Sequence, residues 1–325
     1  MTGLTSDLLD AAWRVFDGAR RVMVAMHQNP DGDALGSAIA LTLGLRGEGR
    51  EVHLVCPQPT PEIYDFLRPQ EIIEPRLPDR SAEVAVLVDC DRPERAGKLG
   101  EAVAAAPRSV VLDHHPPTSE FGTARLTDEE SAATAEVVYR FLRHRDVPLS
   151  HRMAEALLTA LVTDTGGFRY PNTRPETLEI AAELMRRGPS TAEIAQKVYD
   201  TRSLAGLKLM SRALDSIQLS PNGHVAWARL SLGDYEVTGA RPEDTEGFVN
   251  MVHGLKGVDV AVILREEAPG SVRVSFRSRG GAPVGRAAEA LGGGGHELAA
   301  ACVLQGTLDE AEQRVLEELK KWTEF

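Results

Sequence analysis

In the N-terminal part of the chain, three short apolar runs each stop abruptly in aspartate or histidine, and this pattern constrains the fold most. Arg21-Val22-Met23-Val24-Ala25-Met26 leads into His27-Gln28-Asn29-Pro30-Asp31-Gly32-Asp33, Ala85-Val86-Leu87-Val88 into Asp89-Cys90-Asp91, and Ser109-Val110-Val111-Leu112 into Asp113-His114-His115. Apolar runs this short, with no polar alternation, read as strands buried on both faces, as in parallel sheets sandwiched by helices. Val52–Val55 reads as another strand. Helical patterns fall at 7–19, 34–45, 151–162 and near 62–67, 94–105 and 131–145. Asp33 is a candidate cap for the helix that Gly47 and Gly49 end. In an open parallel sheet ligands bind beyond the carboxyl ends of the strands, so the three polar clusters are expected to converge on one crevice. Asp164, at the end of the apolar helical run from Ala156 to Val162, is placed to join them.

Beyond residue 175 the pattern is helical as far as 214, broken by Gly188-Pro189. After Pro221-Asn222-Gly223 it changes to strand-like runs at 224–230, 258–264 and 271–277, with helices near 243–253, 283–290 and 308–322. The expected organisation is an α/β domain over 1–188, a helical linker over 189–222 and a smaller α/β domain over 223–325, with a cleft between the two. The 325 residues suffice for two cores, and 42% apolar with 26% charged residues is a globular composition. No run is long and apolar enough to span a membrane, Met1 to Trp13 has no signal-peptide layout, and Cys56, Cys90 and Cys302 are too scattered for a disulfide framework. A cytoplasmic location is expected. Lys and Arg number 36 against 48 Asp and Glu, a net charge of −12, which excludes a broad basic surface for long nucleic acid but not a small phosphorylated ligand held by local cations.

The converging groups are His27, Asp31, Asp33, Asp89, His114 and Asp164. Four carboxylates in one crevice repel one another unless cations neutralise them. Six ligands with one Asp shared suit two divalent metals roughly 3.5–4 Å apart. Mixed imidazole and carboxylate donors favour Mn²⁺ over Mg²⁺, Ca²⁺ or a thiolate zinc site. Gly32 is expected to let the loop turn tightly, so that Asp31 and Asp33 face different metals. Each motif alone has an ordinary reading, an Asp-x-Asp turn or a surface His pair; their recurrence at successive strand ends favours the metal centre.

Gly292-Gly293-Gly294-Gly295-His296 is a second feature. Successive glycines allow backbone N–H groups to form a concave anion nest. Residues 265–296 hold five Arg and three Glu, a local 5 − 3 = +2, and Ser275-Phe276-Arg277-Ser278-Arg279 lies within them. Capture of a terminal phosphate is expected there.

Taken together, these residues resemble the DHH phosphoesterase superfamily, whose name is spelled by Asp113-His114-His115. His27-x-Asn29-Pro30-Asp31-Gly32-Asp33, Asp89, the triplet and Asp164-Thr165-Gly166 follow in the family's order, and the glycine-His run is similar to that of the companion DHHA1 domain. The resemblance covers nearly the whole chain, and the length looks most like NrnA-type oligoribonucleases that also dephosphorylate adenosine 3′,5′-bisphosphate (pAp). It implies that His27, Asp31 and Asp89 hold one metal, and that Asp33, Asp89, His114 and Asp164 hold the other, with Asp89 bridging. Asp113 would orient a neighbouring His, and His115 would face the scissile phosphate. The expected substrate-binding set is His115, Arg277, Ser278, Arg279, Gly293, Gly294, Gly295 and His296. Where the family often reads His-x-x-Ala-Ala-Gly, this chain has His296-Glu297-Leu298-Ala299-Ala300-Ala301, so Ala301 is expected to narrow the pocket.

The implied activity is Mn²⁺-dependent, two-metal hydrolysis of very short oligoribonucleotides (nanoRNA) to mononucleotides and of pAp to AMP, with the C-terminal domain closing over the cleft. Long duplexes are not expected to bind, no membrane is involved, and a homodimer is compatible with all of this. Two rivals use parts of the same machinery: a phosphodiesterase acting on c-di-AMP or linear pApA, and a non-catalytic RNA-binding module built on a DHHA1 domain. Cys90 lacks any group to activate a thiolate. Ser131-Ala132-Ala133-Thr134-Ala135-Glu136 reads as a helix start with a secondary role lining the cleft. Phe168, Arg169 and Tyr170 read as core more readily than as base contacts, and His224 and His253 read as structural. The sequence contains no P-loop, HExxH or GxSxG motif.

Overall fold

Val84–Val88 is buried at every position, and the residues of Arg21–Met26 and Arg108–Asp113 are buried at all but the first, so these three strands must be covered on both sides. The computed structural model, which describes residues 3–56, 58–77, 80–280 and 282–323, shows how. The chain divides into two compact units, Met1–Asp200 and Thr201–Phe325.

The first unit contains α1 (Ser6–Arg14), β1 (Arg21–Met26), α2 (Gly32–Gly47), β2 (Glu51–Val55), β3 (Ile73–Glu74), β4 (Val84–Val88), α3 (Gly100–Ala104), β5 (Arg108–Asp113), β6 (Ala124–Thr127), α4 (Thr134–Arg143), α5 (His151–Asp164), α6 (Pro175–Met185) and α7 (Thr191–Tyr199). The stretches 62–67 and 94–99, expected as helices, wind as tighter 3₁₀ turns. The six strands are all parallel in the order β3-β2-β1-β4-β5-β6. That order reverses direction between β1 and β4, which makes their carboxyl ends the switch point where such sheets open a binding crevice. Side chains alternate across the sheet. Val22, Val24, Met26, Val86, Val88 and Leu112 pack with α1, α2, α4 and α5, whereas Met23, Ala25, Ala85, Leu87 and Val111 pack with Ala96, Leu99 and Val103.

Close approach of α2 to α5 is what carries Asp164 to the switch point. A Cβ on Gly36 would lie 2.2 Å from the Ala156 carbonyl oxygen, and one on Gly32 would lie 2.5 Å from Thr163 Oγ1. Gly32 is therefore required by its contact with α5 and not, as expected, by a tight turn: it is the first residue of α2 and is not among the residues with positive φ. The helix is capped by Asp31 rather than Asp33, with Asp31 Oδ1 accepting the N–H groups of Asp33 and Ala34 at 3.0 Å each.

The second unit contains α8 (Leu204–Asp215), β7 (Gln218–Leu219), β8 (Val225–Leu230), α9 (Leu232–Thr238), α10 (Phe248–His253), β9 (Val260–Ala268), β10 (Ser271–Ser278), α11 (Val284–Ala290), β11 (Gly294–His296), β12 (Ala299–Gln305) and α12 (Leu308–Leu319). Its sheet runs β11-β12-β10-β9-β8-β7, antiparallel except where β8 pairs with β9. One face (Val262, Leu264, Val272, Val274, Phe276, Cys302) is buried with residues of α11 and α12, and β8 and β9 turn Ala226, Ala228, Ala261 and Ile263 toward α8 and α10 on the other. Residues 189–222, read from sequence as one linker, are shared out: α7 belongs to the first unit, and α8 contributes Leu209 and Ala213 to a core of the second. Periodicity alone does not assign a helix to a partner.

Candidate metal centre

The loops after β1, β4 and β5, the start of α2 and the end of α5 bring His27, Asp31, Asp33, Asp89, His114 and Asp164 together, as three overlapping sets of donor atoms. His27, Asp31 and Asp89 form one, Asp33, His114 and Asp164 a second, and Asp89, His114 and His115 a third; within each, all donors lie within 4.8 Å of one another.

The imidazoles are oriented for ligation. His27 Nδ1 donates to the Gln28 carbonyl at 2.7 Å and His114 Nδ1 to the Ser131 carbonyl at 3.1 Å, so in the neutral rings the Nε2 lone pairs are presented to the carboxylates. His114 Nε2 stands 3.8 Å from Asp33, 3.9 Å from Asp89 and 3.7 Å from Asp164. These separations exceed a hydrogen bond. Bonds of about 2.1 Å to a central cation place its donor atoms roughly 3.0–4.2 Å apart, which is the spacing seen here. His27 Nε2 lies 3.2 Å from Asp89 Oδ2 and 4.0 Å from Asp31 Oδ1.

Asp89 is the centre of the arrangement. It is 2% exposed, shares one oxygen with the His27 side and the other with the His114 side, and sits in the left-handed region at φ 61°, a strained conformation for a non-glycine residue at a strand end. Thr134 Oγ1 donates to Asp89 Oδ1 at 2.7 Å. Asp33, also 2% exposed, accepts the N–H groups of Thr134 at 2.6 Å and Ala135 at 3.0 Å, and the Ser37 hydroxyl at 3.0 Å. The N-terminus of α4, including a segment read from sequence mainly as a helix start, thus fixes two of the candidate ligands. Behind it, Arg140 joins buried Asp128 and Glu136 at 2.8 and 3.1 Å, and Thr177 donates to Glu136. The i,i+4 spacing of Glu136 and Arg140 is the one local trace of this network, and it does not distinguish a buried pair from an ordinary surface one.

Asp113, 1% exposed, works through one oxygen: Oδ1 accepts the N–H of His114 at 2.8 Å, the N–H of His115 at 3.1 Å and the Nδ1–H of His115 at 2.8 Å. It therefore sets the course of the His pair and the orientation of the His115 ring.

The electrostatics are those of a site built around cations. Burial drives the Asp33 carboxyl well above the ordinary range, with Asp89 adding repulsion, and burial takes Asp164 to about 6. For His27 and His114 burial opposes charge, but the surrounding carboxylates outweigh it and raise both to about 9. Burial pushes Asp89 upward, but the hydrogen bond from His27 and the neighbouring histidines hold it below the usual carboxylate range. Burial pushes the Cys90 thiol far upward, leaving no thiolate for catalysis.

A sign follows for stability. Both histidines are raised above their unfolded value of 6.5, so their stabilising contribution is complete below pH 6.5 and is lost as pH climbs through about 9. Asp33 and Asp164 act in the same direction at lower pH, whereas Asp89 contributes above 3.8 and loses its contribution on acidification. The chelated protein is therefore expected to melt at a lower temperature at pH 9 than at pH 6.5. The rise in melting temperature on adding Mn²⁺ should grow over the same interval, since cations replace protons. Thermal melts with chelator and with metal at the two pH values check this; a chelated melting temperature that increases with pH would refute the charged cluster.

The second unit distributes its expected residues differently. Arg277 and Ser275 lie on the half-exposed face of β10, in register with Ala299 and Ala301 of β12, which in turn pair with His296 and Gly294 of β11. Gly294 and Gly295, with His296, thus form an edge strand against β12, and Gly292 and Gly293 lead into it. Gly295 needs its φ of 140° and, like Gly293, has no room for a Cβ against β12. Ala301 stands opposite Gly294, a position around which an added Cβ would meet open space. Ser278 is buried on the opposite face, and Arg279 is tied to the carbonyls of Val258 at 3.0 Å and His253 at 2.6 Å. The His296 side chain lies outside the described residues.

Comparison with known proteins agrees with this arrangement. The pattern described as DHH family, N-terminal domain matches residues 21–161, and the DHHA1 domain matches residues 225–324. The chain is 34% identical over 306 residues, covering 92% of it and 89% of its relative, to the bifunctional oligoribonuclease and PAP phosphatase NrnA of Thermus thermophilus. It is 27% identical to the cyclic-di-AMP phosphodiesterase GdpP of Geobacillus thermodenitrificans, over 94% of this chain but 48% of that one. The crystal structure of an exopolyphosphatase-related protein from Bacteroides fragilis superposes with a TM-score of 0.90 at 29% identity, covering 98% of this chain and 96% of that chain. No helix among the described residues is long and apolar enough to cross a membrane. Acidic and histidine ligand sets at the switch point of a parallel sheet, a second sheet domain with a glycine edge strand, and these relatives together place the chain in the DHH–DHHA1 phosphoesterase family, in its NrnA-type branch.

Proposed function

We propose that the protein hydrolyses very short oligoribonucleotides to mononucleotides and removes the 3′-phosphate of pAp, using two divalent ions, Mn²⁺ by the character of the donors. The observation that carries this reading is the position of Asp89, buried between two donor sets. His27, Asp31 and Asp89 would hold one ion, and Asp33, Asp89, His114 and Asp164 the other. When bound, such ions lower the pKa of an attacking water and neutralise charge on the phosphate oxygens. The chain's own residues supply the geometry. The α4 N-terminus fixes Asp33 and Asp89, Ser131 fixes the tautomer of His114, and Asp113 orients His115 to donate to a phosphate oxygen or to the leaving group. Arg277, with the backbone of Gly293, Gly294 and Gly295 and with His296, is proposed to hold a terminal phosphate; Ser278 and Arg279 support that strand from behind.

A second reading, hydrolysis of c-di-AMP or pApA, is favoured by the likeness to GdpP. One panel separates the two: a 5′-phosphorylated RNA trimer, a 24-mer, pApA, c-di-AMP and pAp, each with Mn²⁺ and with chelator. Metal-dependent loss of the trimer and pAp at least about tenfold faster than the 24-mer is expected. Preference for c-di-AMP or pApA over both would move the protein to second-messenger turnover. Absence of any hydrolysis would overturn the enzymatic reading in favour of RNA binding.

A further inference from the structure

Beside the metal centre, within the first unit, lies a cavity of about 390 Å³ lined by His27, Gln28, Arg92, Glu94 and Arg95. We propose that Arg92 and Arg95 make this cavity a phosphate subsite that reads a second phosphate of the substrate, one not being cleaved. The proposal rests on the function proposed above and specifies how that site selects its substrates.

Four observations carry it. The protein has a net charge of −12, and most of its arginines are spent on carboxylates or backbone carbonyls, as Arg140 and Arg279 are. Arg92 and Arg95 are exposed and share one wall of this open hollow, and among the described residues no hydrogen bond or ion pair engages either guanidinium. Glu94 is the acid on that wall, so the side chains beyond His27 carry 2 − 1 = +1, suited to a single phosphate. His27 belongs to both places: its ring lines the cavity while its Nε2 faces Asp89 at 3.2 Å.

The loop that carries the two arginines is held in place from below. The Gln28 N–H donates to the Arg95 carbonyl at 2.8 Å, which pins the loop after β1 to the turn that carries both arginines. That turn bends at Gly97, with φ 56°, where a Cβ would lie 2.6 Å from the Gln28 side chain, so Gln28 packs directly on it. A volume near the lower end of ordinary ligand pockets, about 300–1,000 Å³, admits a phosphate with its attached sugar. Unpaired guanidinium groups match phosphate geometry better than any other side chain.

The test compares substrates that differ only in the second phosphate: pAp against adenosine 3′-monophosphate, and pApA against ApA, with the full chain and Mn²⁺. The wild type is expected to favour the phosphorylated member of each pair by about tenfold or more in kcat/KM. In the double variant Arg92→Ala/Arg95→Ala this ratio should fall at least about threefold through KM, the remainder being what the Arg277 set contributes, and Arg92→Lys/Arg95→Lys should keep an intermediate ratio. A wild-type ratio near one, or a double variant with the wild-type ratio, overturns the subsite while leaving hydrolysis itself intact. If the wild type cleaves none of the four compounds, the preceding reading fails on its own, and calorimetric binding of the same uncleaved compounds decides the subsite. Tighter wild-type binding of the phosphorylated members, reduced in the double variant, supports it; equal binding overturns it.

Discussion

Asp89→Asn will reduce hydrolysis of every substrate by at least about a thousandfold, a loss near 4 kcal/mol of transition-state stabilisation, without unfolding the protein. The variant keeps an oxygen to accept from Thr134 and the shape that packs beneath His27, and asparagine tolerates the φ of 61° better than aspartate does. What disappears is the charge common to two donor sets, together with the repulsion it exerts on Asp33. The expected signature is therefore double: native circular dichroism with negligible turnover, and a melting temperature that scarcely responds to added Mn²⁺. Turnover within tenfold of wild type, or a metal response of wild-type size, would remove Asp89 from the bridging position.

Arg140→Met gives the opposite signature, a stability defect that reaches the site indirectly. Asp128 is 2% exposed and Glu136 fully buried, and Arg140 is the cation that serves both. Removing one partner of a buried pair leaves an uncompensated charge, at a cost of about 3–5 kcal/mol. For a unit of this size that is roughly a 10 °C fall in melting temperature. Because the segment from Asp128 to Glu136 also supplies the Ser131 carbonyl and the Thr134 donors, metal affinity should weaken as well. Adding Asp128→Asn and Glu136→Gln to the variant should restore part of the stability by removing the stranded charges. A single variant that melts like wild type, or a triple variant no better than the single, would show that the network does not hold α4 in place.

These two expectations differ in how far the sequence foretells them. Asp89 is legible from its place at the end of an apolar run, because both the run and the residue are local facts. The Arg140 network is not, since Asp128 and Glu136 become a buried pair only when α4 docks against the end of β5 and the start of α6. Asp33 shows the same limit. Its identity as a candidate ligand is readable in His-x-Asn-Pro-Asp-Gly-Asp, but the partner whose N–H groups it accepts is Thr134, 101 residues away. Read locally, Asp33 looks like the cap of its own helix, a role that belongs to Asp31.

By itself, the sequence determined that short doubly buried strands alternate with helices, that histidine and aspartate stand where such strands end, and that a glycine-rich second domain follows. Each of these is set by residue type and spacing over a few positions. Only the tertiary structure decided the strand order that puts β1 beside β4, the approach of α2 to α5 that brings Asp164 to His114, the pairing of Gly294 and Gly295 in an edge strand against β12, and the cavity where Arg92 and Arg95 stand unpaired. The physical reason is that periodicity reports which side of an element is buried. Steric fit and hydrogen-bond satisfaction between segments far apart in the chain select what it is buried against.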